Sequence, residues 1–374
     1  MMSRYLLLLL SIGIFIITTA FLAERQEENL RALYSKPISE WPKPFIDPGV
    51  DWKEFEALEK QDTSYFRIIA QPKVHLGKIL FFDPMLSGSN QISCSSCHDP
   101  QSSWADKRSV ALGNDHLEGN RNTLSLLNVA SRKTFFWDGR AGSLEDQAKE
   151  PIVAHHEMAM KPEELGDKLG AIEGYRDMFK DAYGDEQVTY DRVLESLAAF
   201  QKTIVSRQSR FDRFLNGDYD AMTDEEIKGM HLFRNKARCM NCHNGKFLTD
   251  EDFHNIGLTY YKRKYEDLGR YNITKNPEDV GKFRTPSLRD VMHNSPWMHN
   301  GLFNNITGII NMYNSGMHMI DPDSAEKAAD PLYPVTDELM QPLDLNKEEI
   351  QALIAFMDAI TATQYHMRRP ELPR

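Results

Sequence analysis

The two motifs Cys94-Ser95-Ser96-Cys97-His98 and Cys239-Met240-Asn241-Cys242-His243 decide the fold of this chain. Each motif carries two thiols three positions apart, followed directly by a histidine. Two thiols at this spacing can add to the two vinyl groups of one haem, and the adjacent imidazole can reach the iron as proximal ligand. The sequence therefore predicts two covalent c-type haems, with His98 and His243 as ligands of the haem iron.

Other uses of paired cysteines fit this pattern poorly. Zinc ribbons also use Cys-x-x-Cys pairs, but with roughly 15–20 residues between the pairs, far fewer than lie between Cys94 and Cys239. A thioredoxin-type redox pair does not explain a histidine directly after both motifs. The chain has 4 cysteines, so two attached haems leave no thiol for a disulfide bond.

The N-terminus predicts a location outside the cytoplasm. Arg4 is followed by an uncharged apolar run from Tyr5 to Ala23, in which Thr18-Thr19-Ala20 is a passable cleavage site. A basic start followed by such a run is typical of a secretory signal peptide. The run is also close to the roughly 20 residues that span a bilayer, so an uncleaved inner-membrane anchor stays open. In either case we expect the folded part in the periplasm.

The length, hydrophobic content and net charge of the chain indicate how many domains it can form and which partners it can bind. A chain of 374 residues with 41% hydrophobic residues is long enough for two domains, each with its own core. The formal net charge of −11 argues against nucleic acid as a partner, because the phosphate backbone attracts an excess of Lys and Arg.

Helical signals recur along the chain. Apolar residues follow helical spacing over residues 190–206. Thr223-Asp224-Glu225-Glu226 predicts a capping box before the second haem motif, and Asn346-Lys347-Glu348-Glu349 predicts another cap before a last amphipathic helix. We therefore expect a mainly α-helical chain with long loops around the haems.

Several further stretches carry a family resemblance. They are Arg121-Asn122, Phe135-Phe136-Trp137-Asp138-Gly139-Arg140-Ala141, Leu144-Glu145-Asp146-Gln147-Ala148, Pro151-Ile152, Glu157-Met158, Phe283-Arg284-Thr285-Pro286-Ser287-Leu288-Arg289 and Pro296-Trp297-Met298-His299-Asn300-Gly301. Together with the haem motifs they resemble bacterial di-haem cytochrome c peroxidases and their MauG-type relatives. The resemblance runs in order from about Lys73 to Ile360, nearly the whole chain after the apolar run.

The resemblance implies a fold of two cytochrome c-like domains whose haems face a shared interface. We therefore expect four parts in the chain. These are a signal peptide or membrane anchor (1–23), a linker and N-terminal packing segment (24–72), an N-terminal peroxidatic haem domain (73–215) and a C-terminal electron-transfer haem domain (216–374).

The resemblance also implies roles for particular residues. It puts the peroxide-handling haem on His98, with Glu157 over its open face as the acid–base group that moves a proton between the two peroxide oxygens. Gln147 would assist by hydrogen bonding in the same pocket. Trp137 would lie between the haems and pass electrons arriving through the His243 haem.

A calcium ion between the domains is a further implication. Asn122, with the backbone carbonyls of Asn294 and Pro296, matches the family's calcium site, and ligation by oxygen atoms alone suits calcium. Members of the family often pair as homodimers.

The first departure from the family concerns the cap of the first haem. Many family peroxidases place a histidine soon after the first motif, and this histidine binds the iron in the oxidised resting state. Asn114 stands at that position, and His116 follows two residues later. Either the loop shifts so that His116 binds, or the first haem is open. We expect the open haem.

The second departure concerns the sixth ligand of the second haem. Classical members of the family have a methionine there, whereas alignment from His299-Asn300-Gly301 puts Tyr313 at this position, as in MauG-type proteins. Phenolate ligation favours oxidised iron. Three methionines are close enough to compete with Tyr313, and they are Met312, Met317 and Met319.

Three functions follow from these expectations. The first is reduction of hydrogen peroxide to water, with electrons from a small cytochrome c or cupredoxin. The second is oxidation of a protein or organic substrate by a high-valent haem state, as in MauG-type proteins, and Tyr313 favours it. Against MauG's own route, Ala237 stands where its surface-directed tryptophan is expected. The third is a non-enzymatic electron carrier, which predicts two six-coordinate haems and no rapid reaction with peroxide.

Overall fold

The computed structural model describes residues 30–364 and 367–373 and confirms a mainly α-helical chain. Its α-helices after residue 34 are α1 (Thr63–Ile69), α2 (Pro72–Phe82), α3 (Cys94–Cys97), α4 (Leu144–Val153), α5 (Pro162–Gly170), α6 (Glu173–Tyr183), α7 (Tyr190–Gln201), α8 (Arg210–Leu215), α9 (Asp224–Arg234), α10 (Tyr271–Thr274), α11 (Ile306–Asn314), α12 (Ser324–Ala329) and α13 (Lys347–Ala359). Two short strands, β1 (Phe253–His254) and β2 (Phe283–Arg284), pair antiparallel.

The apolar run from Tyr5 to Ala23, for which a signal peptide or an anchor was predicted, lies outside the described residues. Within residues 30–364 and 367–373, no helix combines the length and hydrophobicity that a membrane span requires.

The first apolar core forms where α2 crosses α7. The helices approach closely because α2 has Gly77 at the crossing, where a Cβ would lie 1.8 Å from the carbonyl oxygen of Ser196. Helix α3, with the first haem motif, packs against α2. Among the largest buried side chains of this core are Leu76, Phe81, Tyr175, Phe179 and Phe200.

The second apolar core repeats this arrangement. Helices α9 and α13 cross at Gly229, where a Cβ would lie 1.9 Å from the carbonyl oxygen of Ala352. Helix α11 packs against α13. From Val74 onward the two cores follow one another in the chain, since Ile204 belongs to the first and Phe211 to the second.

The N-terminal packing segment belongs to the second core. Tyr34, Trp41 and Phe55 are buried there, and the Tyr34 and Trp41 rings meet edge to face with centroids 4.9 Å apart. The Phe55 ring lies 5.2 Å from that of Phe211. The N-terminal packing segment therefore joins the second core, although it precedes the first core in the sequence.

Both predicted caps are confirmed. The N–H of Glu226 donates to Thr223 Oγ1 at 3.2 Å, and the N–H of Thr223 donates to Glu226 Oε2 at 2.8 Å. Asn346 and Glu349 form the same reciprocal pair before α13. These side chains satisfy N–H groups that the first helical turn leaves without partners.

The predicted helix over residues 190–206 is too long, since α7 ends at Gln201. Beyond it the backbone pairs with Asn128 of the same core. The N–H of Asn128 donates to the carbonyl oxygen of Ile204 at 2.8 Å, and the N–H of Ser206 donates to Asn128 Oδ1 at 3.0 Å. The apolar residues after Gln201 keep helical spacing, but the carbonyl oxygen of Ile204 accepts from Asn128 rather than from a later residue of the helix.

Candidate haem sites and the interface between them

The first haem motif presents a proximal ligand. Helix α3 is capped by Ser93, and His98 follows it with its ring Nδ1 3.0 Å from the carbonyl oxygen of Trp104. Metal-ligating histidines regularly donate the other ring N–H to a carbonyl oxygen, which fixes the tautomer and leaves Nε2 for the metal. Burial lowers the pKa of His98, which keeps its ring neutral.

The second motif repeats these features. A 3-10 turn spans Cys239–Asn241, and His243 Nδ1 lies 3.1 Å from the carbonyl oxygen of Leu248. Burial lowers the pKa of His243 as well. All four motif thiols are free, which fits attachment of one haem at each motif.

A large, mainly apolar cavity adjoins the second motif. His243 lines it together with Cys239, Cys242 and Tyr313. Burial raises the pKa of the Tyr313 phenol, and the two thiols raise it further. The structure thus brings Tyr313 together with the predicted proximal ligand on one cavity.

The competing methionines do not line this cavity. Met317 is buried beside it in a small apolar cluster, Met312 packs on the same cluster, and Met319 is exposed. Three other methionines, Met298, Met340 and Met357, line the cavity. The ligand role of Tyr313 stays a prediction.

Two buried guanidinium groups in the cavity fit the haem carboxylates. Arg284 is 1% exposed, and its Nη2 has no hydrogen-bond partner among the described residues, while its Nη1 lies 3.1 Å from Glu251 Oε1. Burial and the positive charge of Arg284 together lower the pKa of neighbouring Arg132 to about 9. Cations held in apolar surroundings require anions. Glu251 supplies one here, and the propionates of a bound haem would supply another.

Glu157 stands beside the first haem motif. It follows α4 in a turn, where the N–H of Met158 donates to the carbonyl oxygen of Pro151 at 3.1 Å. Burial raises the pKa of Cys97 to about 12, and the negative charge of Glu157 contributes. The carboxylate and this thiol are therefore close enough to interact.

The protein around Glu157 raises the pKa of its carboxyl group. The side chain is 44% exposed and its Oε1 lies 3.7 Å from His156 Nε2. Burial by the surrounding chain nevertheless raises the pKa of Glu157, although the positive charges of His156 and Arg140 oppose this. A carboxyl group with a raised pKa can both accept and donate a proton nearer to neutral pH.

Gln147 is half-buried on α4. It precedes Pro151 by one helical turn, so both lie on the same face of the helix. The turn that carries Glu157 packs against Pro151. The assisting role of Gln147 beside Glu157 stays a prediction.

Trp137 reaches from the first domain into the second. It is 8% exposed and lines the cavity that holds His243. Its Nε1–H donates to the carbonyl oxygen of Asn122 at 2.9 Å, and its own carbonyl accepts the N–H of Arg284 at 2.8 Å. These bonds fix the indole at the interface.

The loop of the predicted haem cap lies against the Glu157 backbone. Asn114 is buried, whereas His116 is exposed. The N–H of Asn114 donates to the carbonyl oxygen of Glu157 at 2.7 Å. The open haem and the His116-capped haem both stay predictions.

The predicted calcium ligands come from neighbouring loops. The N–H of Asn122 donates to the carbonyl oxygen of His299 at 2.8 Å, which joins the two segments. Asn294 Oδ1 is buried and has no partner among the described residues. Lys107 Nζ already donates to the carbonyl oxygen of His293, next to the predicted ligand Asn294. Calcium binding by Asn122, Asn294 and Pro296 stays a prediction.

An ionic link between the domains was not anticipated. Arg121 Nη1 lies 2.6 Å from Asp138 Oδ2 of the first domain, and its Nε lies 2.7 Å from Asp267 Oδ2 of the second. Arg140 joins Asp138 at 3.0 Å. The sequence pointed to Arg121 through the family resemblance, but Asp267 lies in no motif.

Another unanticipated cluster surrounds His254 beside the second motif. Its ring nitrogens lie 3.0 Å from Asp250 Oδ2 and 2.6 Å from Asp337 Oδ2. Although burial lowers the pKa of His254, its bonds to both carboxylates raise that pKa to about 12. Cys242, Asp250 and His254 are close enough for a metal ion, but Cys242 is a haem-attachment thiol and both imidazole nitrogens already face carboxylates.

Comparisons with known proteins agree with this geometry. A family model described as di-haem cytochrome c peroxidase matches residues 71–220. The methylamine utilization protein MauG of Methylophilus methylotrophus is 36% identical over 307 residues, which are 80% of this chain and 86% of that protein. The cytochrome c551 peroxidase of Nitrosomonas europaea is 31% identical over 299 residues, 80% of this chain and 82% of that protein.

Solved structures agree as well. The crystal structure of a MauG-like protein associated with microbial copper homeostasis has a TM-score of 0.70 and 28% identity, and the match covers 86% of this chain and 93% of that one. The diheme peroxidase BthA of Burkholderia thailandensis E264 shares the fold, with a TM-score of 0.64, 23% identity, and coverage of 87% and 94%.

Fold and site together define a di-haem oxidoreductase of two cytochrome c-like domains. The chain belongs to the di-haem cytochrome c peroxidase family, whose members include both cytochrome c peroxidases and MauG. The family implies two c-type haems, as the two motifs predicted.

Proposed function

We propose that this protein reduces hydrogen peroxide to water at the His98 site, with electrons that enter through the His243 site. One observation carries the proposal: Glu157, whose pKa is raised by burial, lies beside the first haem motif. Haem bound at the two motifs supplies iron that binds peroxide at one site and exchanges electrons at the other.

Glu157 acts as the proton-transfer group. Its carboxylate takes a proton from one peroxide oxygen and returns it to the departing oxygen, which leaves as water. Burial holds the pKa of the group above its usual value, so both protonation states are available during turnover. Gln147, half-buried on α4, orients the peroxide by hydrogen bonding.

Trp137 carries electrons between the two sites. Its indole lies in the wall of the second cavity while its segment belongs to the first domain. The electrons come from a small redox protein of the periplasm, a cytochrome c or a cupredoxin. Asn122, Asn294 and Pro296 bind a calcium ion that joins the two domains at this interface.

A second candidate function is supported by Tyr313. A phenolate ligand favours oxidised iron, so a site with Tyr313 would store oxidising equivalents better than it would accept electrons from an ordinary donor. MauG of Methylophilus methylotrophus is 36% identical to this chain. The protein would then oxidise a protein or an organic substrate with the stored equivalents.

The electron paramagnetic resonance spectrum of the ferric di-haem protein, before and after peroxide, tests the proposal. We expect a high-spin and a low-spin signal, both changing promptly with peroxide. Glu157→Gln should slow this reaction by roughly 10²–10⁴-fold, whereas Glu163→Gln, at an exposed site on α5, should not. Steady turnover with a reduced redox protein then favours the peroxidase over the oxidase.

Two low-spin haems that stay inert even after reduction would contradict the proposal. They would leave the electron carrier as the function. A prompt spectral change without turnover of any reduced redox protein would favour the oxidase instead.

A further inference from the structure

A compact loop between Thr259 and Asp267, here called the tyrosine loop, stands out on the surface of the second domain. Its sequence is Thr-Tyr-Tyr-Lys-Arg-Lys-Tyr-Glu-Asp. Two bonds close its base, since the N–H of Asp267 donates to the Thr259 carbonyl and Thr259 Oγ1 donates to the Asp267 carbonyl, both at 2.9 Å. Asp267 also holds Arg121 of the first domain. The loop is therefore an ordered surface element.

One side of the loop contacts the surroundings of the second haem site. Tyr260 packs on an apolar cluster of Leu258, Met317 and Met340, and Tyr313 packs on the same cluster. Tyr313 and Met340 both line the cavity with His243. One apolar cluster therefore joins Tyr260 to two residues of the cavity lining, Tyr313 and Met340.

The other side of the loop reaches water. The rings of Tyr260 and Tyr265 meet edge to face with centroids 6.1 Å apart, and Tyr265 is 51% exposed. Two redox-active phenols in contact thus connect the cluster beneath Tyr313 with the surface. Since Ala237 stands where MauG-type proteins were expected to carry a tryptophan route, this connection runs through a different part of the domain.

The loop also carries a formal net charge of one positive unit on an acidic protein, because its three cations outnumber Glu266 and Asp267. Lys262, Arg263 and Lys264 are consecutive and exposed. Lys262 pairs with Asp330 at 2.7 Å, while within the described residues no ion pair joins Arg263 or Lys264 to a carboxylate. The whole chain has a net charge of −11. A basic patch on such a background steers an acidic partner toward the patch rather than elsewhere.

We propose that the tyrosine loop is the docking and electron-entry site for a small redox protein with an acidic face. The proposal rests on the proposed function and names the surface through which it draws electrons. Tyr265 gives one electron through Tyr260 toward the Tyr313 site, and its phenolic proton goes to water. The docked partner then returns one electron and Tyr265 recovers a proton from water. Two such cycles supply the two electrons that, with two protons, convert one hydrogen peroxide into two waters.

The first test locates the oxidised residue. The di-haem protein is mixed with peroxide without a donor, in the presence of a nitroso spin trap, and adducts are mapped by mass spectrometry. We expect adducts on Tyr265 and Tyr260. Tyr265→Phe should remove the first and slow oxidation of a reduced acidic cupredoxin several-fold, with an unchanged initial haem reaction. Tyr271→Phe, outside the apolar cluster, is the control.

The second test examines docking. The double variant Arg263→Glu/Lys264→Glu should lower kcat/KM for the acidic cupredoxin roughly 10-fold at low salt, and should not lower it for a reduced basic cytochrome c. Lys149→Glu/Lys161→Glu, which makes the same change of charge on the first domain, should leave both donors unaffected.

The outcomes separate this proposal from the proposed function. Haems that do not respond to peroxide contradict the proposed function itself. Haems that respond normally, with adducts only outside the loop and unchanged cupredoxin oxidation in Tyr265→Phe, contradict the electron route. An equal effect of the two charge-reversal variants contradicts the docking site.

Discussion

The backbone N–H of Asn114 donates to the carbonyl oxygen of Glu157 at 2.7 Å. Where many relatives are expected to carry a haem-capping histidine, this chain therefore has a buried residue that holds the backbone of Glu157, the proposed proton-transfer group. The preceding residue, Gly113, makes the contact close, because a Cβ there would lie 2.2 Å from the carbonyl oxygen of His156. The loop in which the sequence predicted a haem cap thus contacts the backbone of Glu157.

The role of His116 can be tested directly. His116 is exposed, so we expect His116→Ala to retain the high-spin signal of the ferric protein and its prompt reaction with peroxide. His155→Ala, which removes another imidazole near Glu157, serves as the control. If His116→Ala instead converts a low-spin haem into a high-spin one, His116 is a ligand and the expectation of an open haem is wrong.

The packing of Gly113 predicts a second result. Gly113→Ala forces the loop away from the Glu157 backbone, and displacement of a catalytic group by about 1 Å can cost roughly 10²-fold in rate. We expect a slower reaction with peroxide at full haem content. Gly142→Ala is the matched control, since nothing lies within 4 Å of a Cβ at that position. Equal rates in the two variants would show that the contact does not position Glu157.

The acidity of Glu157 predicts a pH profile. Its pKa is raised by burial, and proton abstraction requires the carboxylate, so the rate should rise as pH increases through this raised pKa. The acidic limb should therefore lie above the usual glutamic acid value of about 4.3. Stopped-flow rates between pH 4 and pH 8 measure it, and the limb should vanish in Glu157→Gln. A limb that persists in this variant would belong to another group.

The sequence anticipated local chemistry better than contacts between distant segments. Both haem motifs, the two caps and the cavity position of Tyr313 follow from short patterns, because attachment, capping and family motifs are local. The sequence indicated a packing segment in residues 24–72 but not its partner, since Tyr34 and Phe55 meet a core built far along the chain.

Long-range polar partners were not predictable for the same reason. Arg121 pairs with Asp267, one of 55 acidic residues in the chain. Only folding brings these two residues together. His254 between two carboxylates is likewise invisible in sequence. The error at the end of α7 has a similar origin, because Asn128 takes the backbone bonds of residues whose spacing favoured a helix.

Tyr313 predicts a redox effect. If the phenol binds the iron of the second haem, Tyr313→Phe should raise the potential of that haem on the order of 0.1 V, well within the roughly 0.8 V that axial ligands span. Met312→Leu should leave the potential unchanged, because Met312 does not line the cavity. Spectroelectrochemical titration of both variants measures the shift. If only Met312→Leu shifts the potential, the ligand is Met312 and not Tyr313.

The crossing of α9 and α13 predicts a stability effect that does not involve haem chemistry. Gly229→Ala would put a Cβ 1.9 Å from the Ala352 carbonyl oxygen and 2.9 Å from Phe356 Cβ, so the helices must separate, at a cost of about 1–3 kcal/mol or more. Gly308→Ala on α11 is the control, because its nearest neighbour would be 3.8 Å away and alanine favours a helix by about 1 kcal/mol. Thermal unfolding of the di-haem protein should therefore give a lower Tm for the first variant and an equal or higher one for the second. Equal Tm values for Gly229→Ala and the unaltered protein would show that the crossing is not tightly packed. The stability of the second domain would then not depend on the close approach of α9 and α13 at Gly229.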